Sequence, residues 1–287
     1  MTEQHPSTEA KITFYGAGSM AEAILRGLVQ SKLAAPSHIT VMNRQNEQRL
    51  LELHQQYGVI PAASETQKQA ALHDADIIIL GMKPKDAAQA ITALAPILRP
   101  TQLIISVIAG LSISTIQQLL GSDQPVIRTM PNTSSTIGLG ATGISFSSSV
   151  DDSQRSLALS MFNSIGLSAI VEEPLIEAVN GISGSGPAYI YYMMEAMINA
   201  GIELGLTAEA ARTLTVQTVK GAAEMVLTTG ENPADLRRKV TSPNGTTQAA
   251  LETLDSNGFQ QGINKAIIRC AERAREMGEA IRAEAFK

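Results

Sequence analysis

The chain has 287 residues, 44% hydrophobic and 17% charged, and 22 Lys and Arg against 27 Asp and Glu leave a net charge of −5. That length allows two domains, and an acidic chain without a basic run is not built to bind nucleic acid. One cysteine rules out an internal disulfide or a paired-cysteine metal site, so no metal is expected.

No apolar stretch approaches the ~18 residues of a membrane span, and the polar start MTEQHPSTEA lacks the apolar core of a secretion signal. The expectation is a soluble cytoplasmic enzyme.

In chain order, Lys11–Tyr15 reads as a short apolar strand, Met20–Gln30 as a helix, Ile39–Asn43 as a strand and Glu47–Tyr57 as a helix. Ile77–Leu80 is a continuous apolar run, and Pro84 opens a helix at a position where proline is welcome. Leu103–Val107, Val126–Met130, Ala141–Phe146 and Leu167–Val171 read as further strands. Continuous apolar strands are those of a parallel sheet covered on both faces, and their alternation with helices predicts a doubly wound α/β domain over 1–171. Residues 172–287 read as all-helical: Glu173–Leu204, Ala208–Thr228, Ala234–Val240, Thr247–Ser256 and Phe259–Phe286. Tyr189–Leu204 is apolar on nearly every side, which implies burial among helices or against a second subunit.

Gly16-Ala17-Gly18-Ser19-Met20-Ala21 fits G-x-G-x-x-[G/A] between a strand and a helix. Glycines there let the backbone approach a pyrophosphate seated on the helix N-terminus, although glycines also mark ordinary tight turns. At the end of the second strand, where a carboxylate would select NADH, stand Asn43 and Arg44. A guanidinium there pairs with a 2′-phosphate, so the reading is NADPH, with NADH possible; a solvated surface arginine is the plainer alternative.

Two segments of the second half break local rules. Ser183-Gly184-Ser185-Gly186-Pro187-Ala188 puts two glycines and a proline into a helical pattern, which suits either a kink for packing or close approach of a ligand. Ser242-Pro243-Asn244-Gly245 makes a turn, and Thr246 is read as the cap of the next helix, whose N–H groups would take a carboxylate. A plain capped turn is the alternative. The four histidines all lie in the first half, and no lysine occurs between Lys85 and Lys220. A carbonyl reductase usually needs such a proton donor, whereas an imine protonates on its own, so their scarcity points to C=N reduction.

Together FYGAGSMAEAI (14–24), GMKP (81–84), SVIAGLS (106–112), RTMPNTS (128–134), SGSGPAY (183–189) and VTSPNGTT (240–247) resemble the pyrroline-5-carboxylate reductase family over nearly the whole chain. The resemblance implies a Rossmann domain and a helical dimerisation domain. The implied reaction is reduction of 1-pyrroline-5-carboxylate to L-proline, in a homodimer that can build larger assemblies. It implies that Gly16 to Ala21 hold the pyrophosphate and that Asn43, Arg44 and Ser64 lie at the adenosine end. Met82, Lys83, Pro84, Ala109 and Lys239 then touch the cofactor. Ser242, Thr246 and Thr247 match the substrate loop, with Thr247 partner to the imine nitrogen, and Glu173 matches an acidic residue near the substrate. Asn244 stands where the family loop has glycine, which keeps open a diverged member that binds NADPH without forming proline. A β-hydroxyacid dehydrogenase is disfavoured, because no lysine lies in Ser185–Tyr191.

Overall fold

The computed structural model describes residues 9–286. Contacts divide the chain into two compact units. One unit runs through Ser185 and takes back the chain from Ile268 onward; the other is Gly186–Ile267.

The first unit is a doubly wound α/β domain. Its eight strands are β1 (Ile12–Tyr15), β2 (Ile39–Met42), β3 (Ile60–Ala62), β4 (Ile77–Leu80), β5 (Leu103–Ser106), β6 (Val126–Met130), β7 (Gly140–Phe146) and β8 (Gly166–Ile170). They lie in the order β3-β2-β1-β4-β5-β6-β7-β8. Helices α1 (Ser19–Gln30), α2 (Glu47–Tyr57), α3 (Glu65–Asp74), α4 (Pro84–Leu94), α5 (Ile113–Leu120) and α6 (Asp152–Asn163) connect them. Alternation along the strands explains why they read as continuously apolar. In β4, Ile77 and Ile79 enter the core beneath α1 and α2, while Ile78 and Leu80 enter the core beneath α4 and α5. Both faces of the sheet are therefore covered at its centre.

Two features depart from the sequence reading. Strand β3 was not foreseen, and β7 runs antiparallel to β6. The connection between β6 and β7 holds only the short 3₁₀ turn Thr133–Ile137, too little for the crossover a parallel neighbour needs.

The stretch after β8 is not one helix. A 3₁₀ turn (Glu173–Leu175), α7 (Ile176–Val179) and a π turn (Asn180–Gly184) precede α8 (Gly186–Glu203). The rule-breaking Ser183–Ala188 segment is thus where one widened turn hands over to a new helix. The π turn is tied down by buried Asn132, whose amide donates to Ser183 O (2.9 Å) while its Oδ1 accepts from Ala141 N (3.2 Å).

The second unit comprises α8, α9 (Ala208–Thr229), α10 (Pro233–Lys239), α11 (Thr246–Ser256) and the start of α12 (Phe259–Ala285). No residue of α8 is buried, and Tyr192, Leu204 and Leu227 are among its unit's exposed apolar side chains. Of the two fates foreseen for this apolar helix, burial among the chain's own helices is not met. Among the described residues, no helix is long and apolar enough to cross a membrane.

The far end of α12 belongs to the first unit through a backbone contact. Gly110, at φ +78°, turns the chain after β5 against α12, and a Cβ on Gly278 would lie 2.1 Å from Gly110 O. Ile281 adds its side chain to the core beneath α4 and α5. Cys270 lies on the same helix and is half-buried, its thiol donating to Ser185 Oγ (3.1 Å) and accepting from Asn180 (3.7 Å). Its thiol thus links α12 to the π turn and to Ser185.

We expect Gly278→Val to cost about 1–3 kcal/mol, as forced overpacking does. Thermal unfolding should show the loss, with faster amide exchange over 268–285; unchanged stability and exchange would refute the contact.

Candidate active site

The sheet order places three loops side by side at one edge, those that follow β2, β1 and β4. The glycine loop after β1 is held from both sides: Gly16 N donates to Met42 O (3.0 Å) and Gly81 N to Tyr15 O (3.0 Å). Gly16 sits at φ +125°, and a Cβ there would come within 2.6 Å of the Gly81 carbonyl. Only glycine permits this contact. Gly18 is the N-cap of α1, no side chain caps that helix, and a Cβ on Gly18 would meet nothing within 4 Å. The first backbone bond of α1 is Glu22 N to Gly18 O (3.0 Å), so the N–H groups of Ser19, Met20 and Ala21 face outward at the positive end of the helix.

A clamp outside the sequence motifs holds this loop. Arg49 of α2 donates from Nε to Ala17 O (3.3 Å) and pairs with Glu22, which also accepts from Tyr57 Oη (3.0 Å). Burial alone pushes the Glu22 carboxyl up, but hydrogen bonds from Arg49 and Tyr57 and the charges of Arg49 and Arg26 hold it below its ordinary value. A carboxylate in the first turn of α1 would repel a diphosphate; here it is neutralised from α2. The signal was a charged residue on the sheet-facing side of an amphipathic helix.

Asn43 directs its Oδ1 into the turn after β2, accepting from Gln45 N (2.9 Å) and Asn46 N (2.8 Å), which leaves its amide N–H₂ as a donor. Arg44 is exposed and pairs with Asp86 (3.1 Å) in the first turn of α4. Ser64 caps α3, accepting from Gln67 N, so its hydroxyl is already engaged. Met82 and exposed Lys83 follow β4, Lys83 is the N-cap of α4, and Pro84 is its first residue. Ala109 is half-buried beside Gly110 in the loop after β5.

Glu173 serves the first unit directly. Its Oε1 accepts from Ile113 N (2.7 Å) at the start of α5 and from Arg128 (3.3 Å), whose other nitrogen reaches Glu177 (2.7 Å). Arg128 is the charged residue inside an apolar strand, and its side chain is only 4% exposed; two carboxylates make that burial tolerable.

In the second unit, Ser242-Pro243-Asn244-Gly245 forms a turn closed by Gly245 N donating to Ser242 O (3.0 Å). Asn244 adopts φ +57° and donates its N–H to Gln248 Oε1 (2.8 Å), a left-handed backbone that asparagine tolerates better than most residues. The expected cap is corrected: Gly245 is the N-cap of α11, no side chain caps the helix, and Thr246 and Thr247 are its first two residues. Its first backbone bond is Ala249 N to Gly245 O (3.2 Å), leaving the N–H groups of Thr246, Thr247 and Gln248 pointing outward beside two hydroxyls. Lys239, at the end of α10, pairs with Glu231. Among the described residues, no cluster of His, Cys, Asp or Glu could hold a metal ion.

An NADP cofactor fits the first unit: open space over Gly18, an uncapped helix N-terminus for its diphosphate, and a guanidinium at the end of β2. Residues 11–110 match the family profile described as NADP oxidoreductase coenzyme F420-dependent, and residues 173–277 match that of pyrroline-5-carboxylate reductase dimerisation. Pyrroline-5-carboxylate reductase 1 of Bacillus subtilis is 43% identical over 95% of this chain and 91% of its own length. A solved pyrroline-5-carboxylate reductase from Coxiella burnetii matches with a TM-score of 0.86 at 38% identity, over 94% of this chain and 99% of that one. The Plasmodium falciparum pyrroline carboxylate reductase, solved with NADP bound, matches with a TM-score of 0.84 at 26% identity, over 95% and 100%. With that identity along almost its whole length, the chain belongs to the pyrroline-5-carboxylate reductase family.

Proposed function

We propose that this chain reduces 1-pyrroline-5-carboxylate to L-proline, the last step of proline biosynthesis, with NADPH as the reductant. The observation that carries the reading is the uncapped start of α11, with its outward N–H groups and the hydroxyls of Thr246 and Thr247, in a member of this family. NADPH supplies the hydride. The N–H groups of Ser19, Met20 and Ala21 receive its diphosphate, the Asn43 amide its ribose, and Arg44 the 2′-phosphate. Met82, Pro84 and Ala109 supply surface along the cofactor, and Lys83 and Lys239 supply charge.

The substrate needs little from its acid–base surroundings. Its ring nitrogen carries a proton near neutral pH, and the carbon beside it then accepts hydride directly. The α11 N–H groups bind the carboxylate, Ser242 closes the loop beneath it, and the Thr247 hydroxyl holds the ring nitrogen with Thr246 alongside. Glu173 acts at a distance, by fixing Arg128 and the start of α5.

The apolar side chains exposed on α8 and α9 support a homodimer, open to larger assembly. A single cysteine and the absence of a membrane-length helix among the described residues support a cytoplasmic site of action.

Oxidation of NADPH by the purified chain should depend on the cyclic imine and yield L-proline; cofactor binding without turnover would leave a nucleotide-binding protein instead. Thr247→Ala should lower kcat/KM about 10–100-fold, the loss of one hydrogen bond to a charged group, while leaving the Kd for NADPH within 2-fold. Equal loss of both would remove Thr247 from the substrate. Light scattering should give a mass of two chains or a multiple of two, and a monomer at micromolar concentration would defeat the proposed interface.

A further inference from the structure

The geometry points to Asp86 as a residue that sets the choice between NADPH and NADH, by competing with the 2′-phosphate for Arg44. At the end of β2 this chain has no carboxylate, yet the Arg44 guanidinium is not free: Asp86 Oδ1 accepts from it at 3.1 Å. The acid comes from a different element, the first turn of α4, where the helix N-terminus favours it and where its own N–H donates to Lys83 O (2.9 Å). The two meet because β2 and β4 flank β1, so their following loops lie on either side of the glycine loop.

When NADH binds, nothing requires the Arg44–Asp86 pair to part. When NADPH binds, the phosphate takes the guanidinium, and whatever the pair contributed is subtracted from binding. The Arg44 side chain is 73% exposed, so the pair is weak and the penalty is modest: it narrows the preference without reversing it. Asn43 cannot play this part, since its carboxamide oxygen is occupied by Gln45 N and Asn46 N.

This rests on the reading that Arg44 holds the 2′-phosphate. The test is the ratio of Kd for NADH to Kd for NADPH, measured by fluorescence titration on the full chain, because a ratio cancels any loss of folded protein. Asp86→Asn should raise the ratio about 3–5-fold at low salt, within the reach of an exposed pair, with NADH binding changed less than 2-fold. The gain should fade in 0.5 M salt as screening removes it. In an Arg44→Met background the same change should leave the ratio within 2-fold. A ratio that stays or falls on Asp86→Asn overturns the proposal, as does a full shift in the Arg44→Met background, which would assign the effect to direct repulsion. Arg44→Met alone identifies failure of the underlying reading: an unchanged ratio there means that Arg44 does not meet the phosphate, and the role of Asp86 falls with it.

Discussion

The loops that follow β1 and β4 touch through their backbones, with no side chain between Gly16 and the Gly81 carbonyl. Much of the first unit's chemistry is arranged around that contact. It lets the glycine loop lie flat, and it brings the start of α4 beside the turn after β2. Arg49 secures the same loop from the opposite side, which is why a network of two helices and one strand end can present bare N–H groups to solvent. Such groups are usually capped, and leaving them open costs stability that the surrounding packing must offset.

The same device recurs in the second unit. Both α1 and α11 begin after a glycine N-cap with no side-chain partner, whereas α2, α3, α5, α6, α9 and α10 are capped by Asn, Ser, Asp or Thr side chains. Of the helices without a side-chain cap, α4 follows Lys83 and the four-residue α7 follows Leu175, so a bare glycine N-cap is what α1 and α11 share. A local stabilising rule left unmet at a glycine is the kind of departure that accompanies function, and it is common to these two N-termini.

How much of this was legible in the sequence follows from the range of each interaction. The strands of the central sheet and the glycine fingerprint rest on neighbours a few residues apart, so they could be read directly. Strand β3 could not, because Ile60-Pro61-Ala62 is three residues long, includes a proline and sits near the sheet edge. The antiparallel turn of β7 depends on a short connection whose geometry no periodicity reports. Thr246 was read as the cap of α11 because a hydroxyl before a helix usually is one, while the turn in fact makes Gly245 the cap. Arg128 stood in plain view within an apolar strand, but its partners, Glu173 and Glu177, come from beyond β8. Gly278 looks like a flaw in a helix until Gly110 is placed against it.

That last contact bears on how the chain is made. The first unit is discontinuous: it is complete only when residues from Ile268 onward return to Gly110 and to the core around Ile281. During synthesis, the sheet, whose last strand ends at Ile170, emerges roughly 100 residues ahead of the closing segment that starts at Ile268, about 5–20 s at 5–20 residues per second. Through that interval the surface around Gly110 stays uncovered while the second unit is still being made. The nascent chain therefore carries an apolar seam that α12 seals, so the stretch from Ile268 to Ala285 acts as a latch on a fold begun at β1.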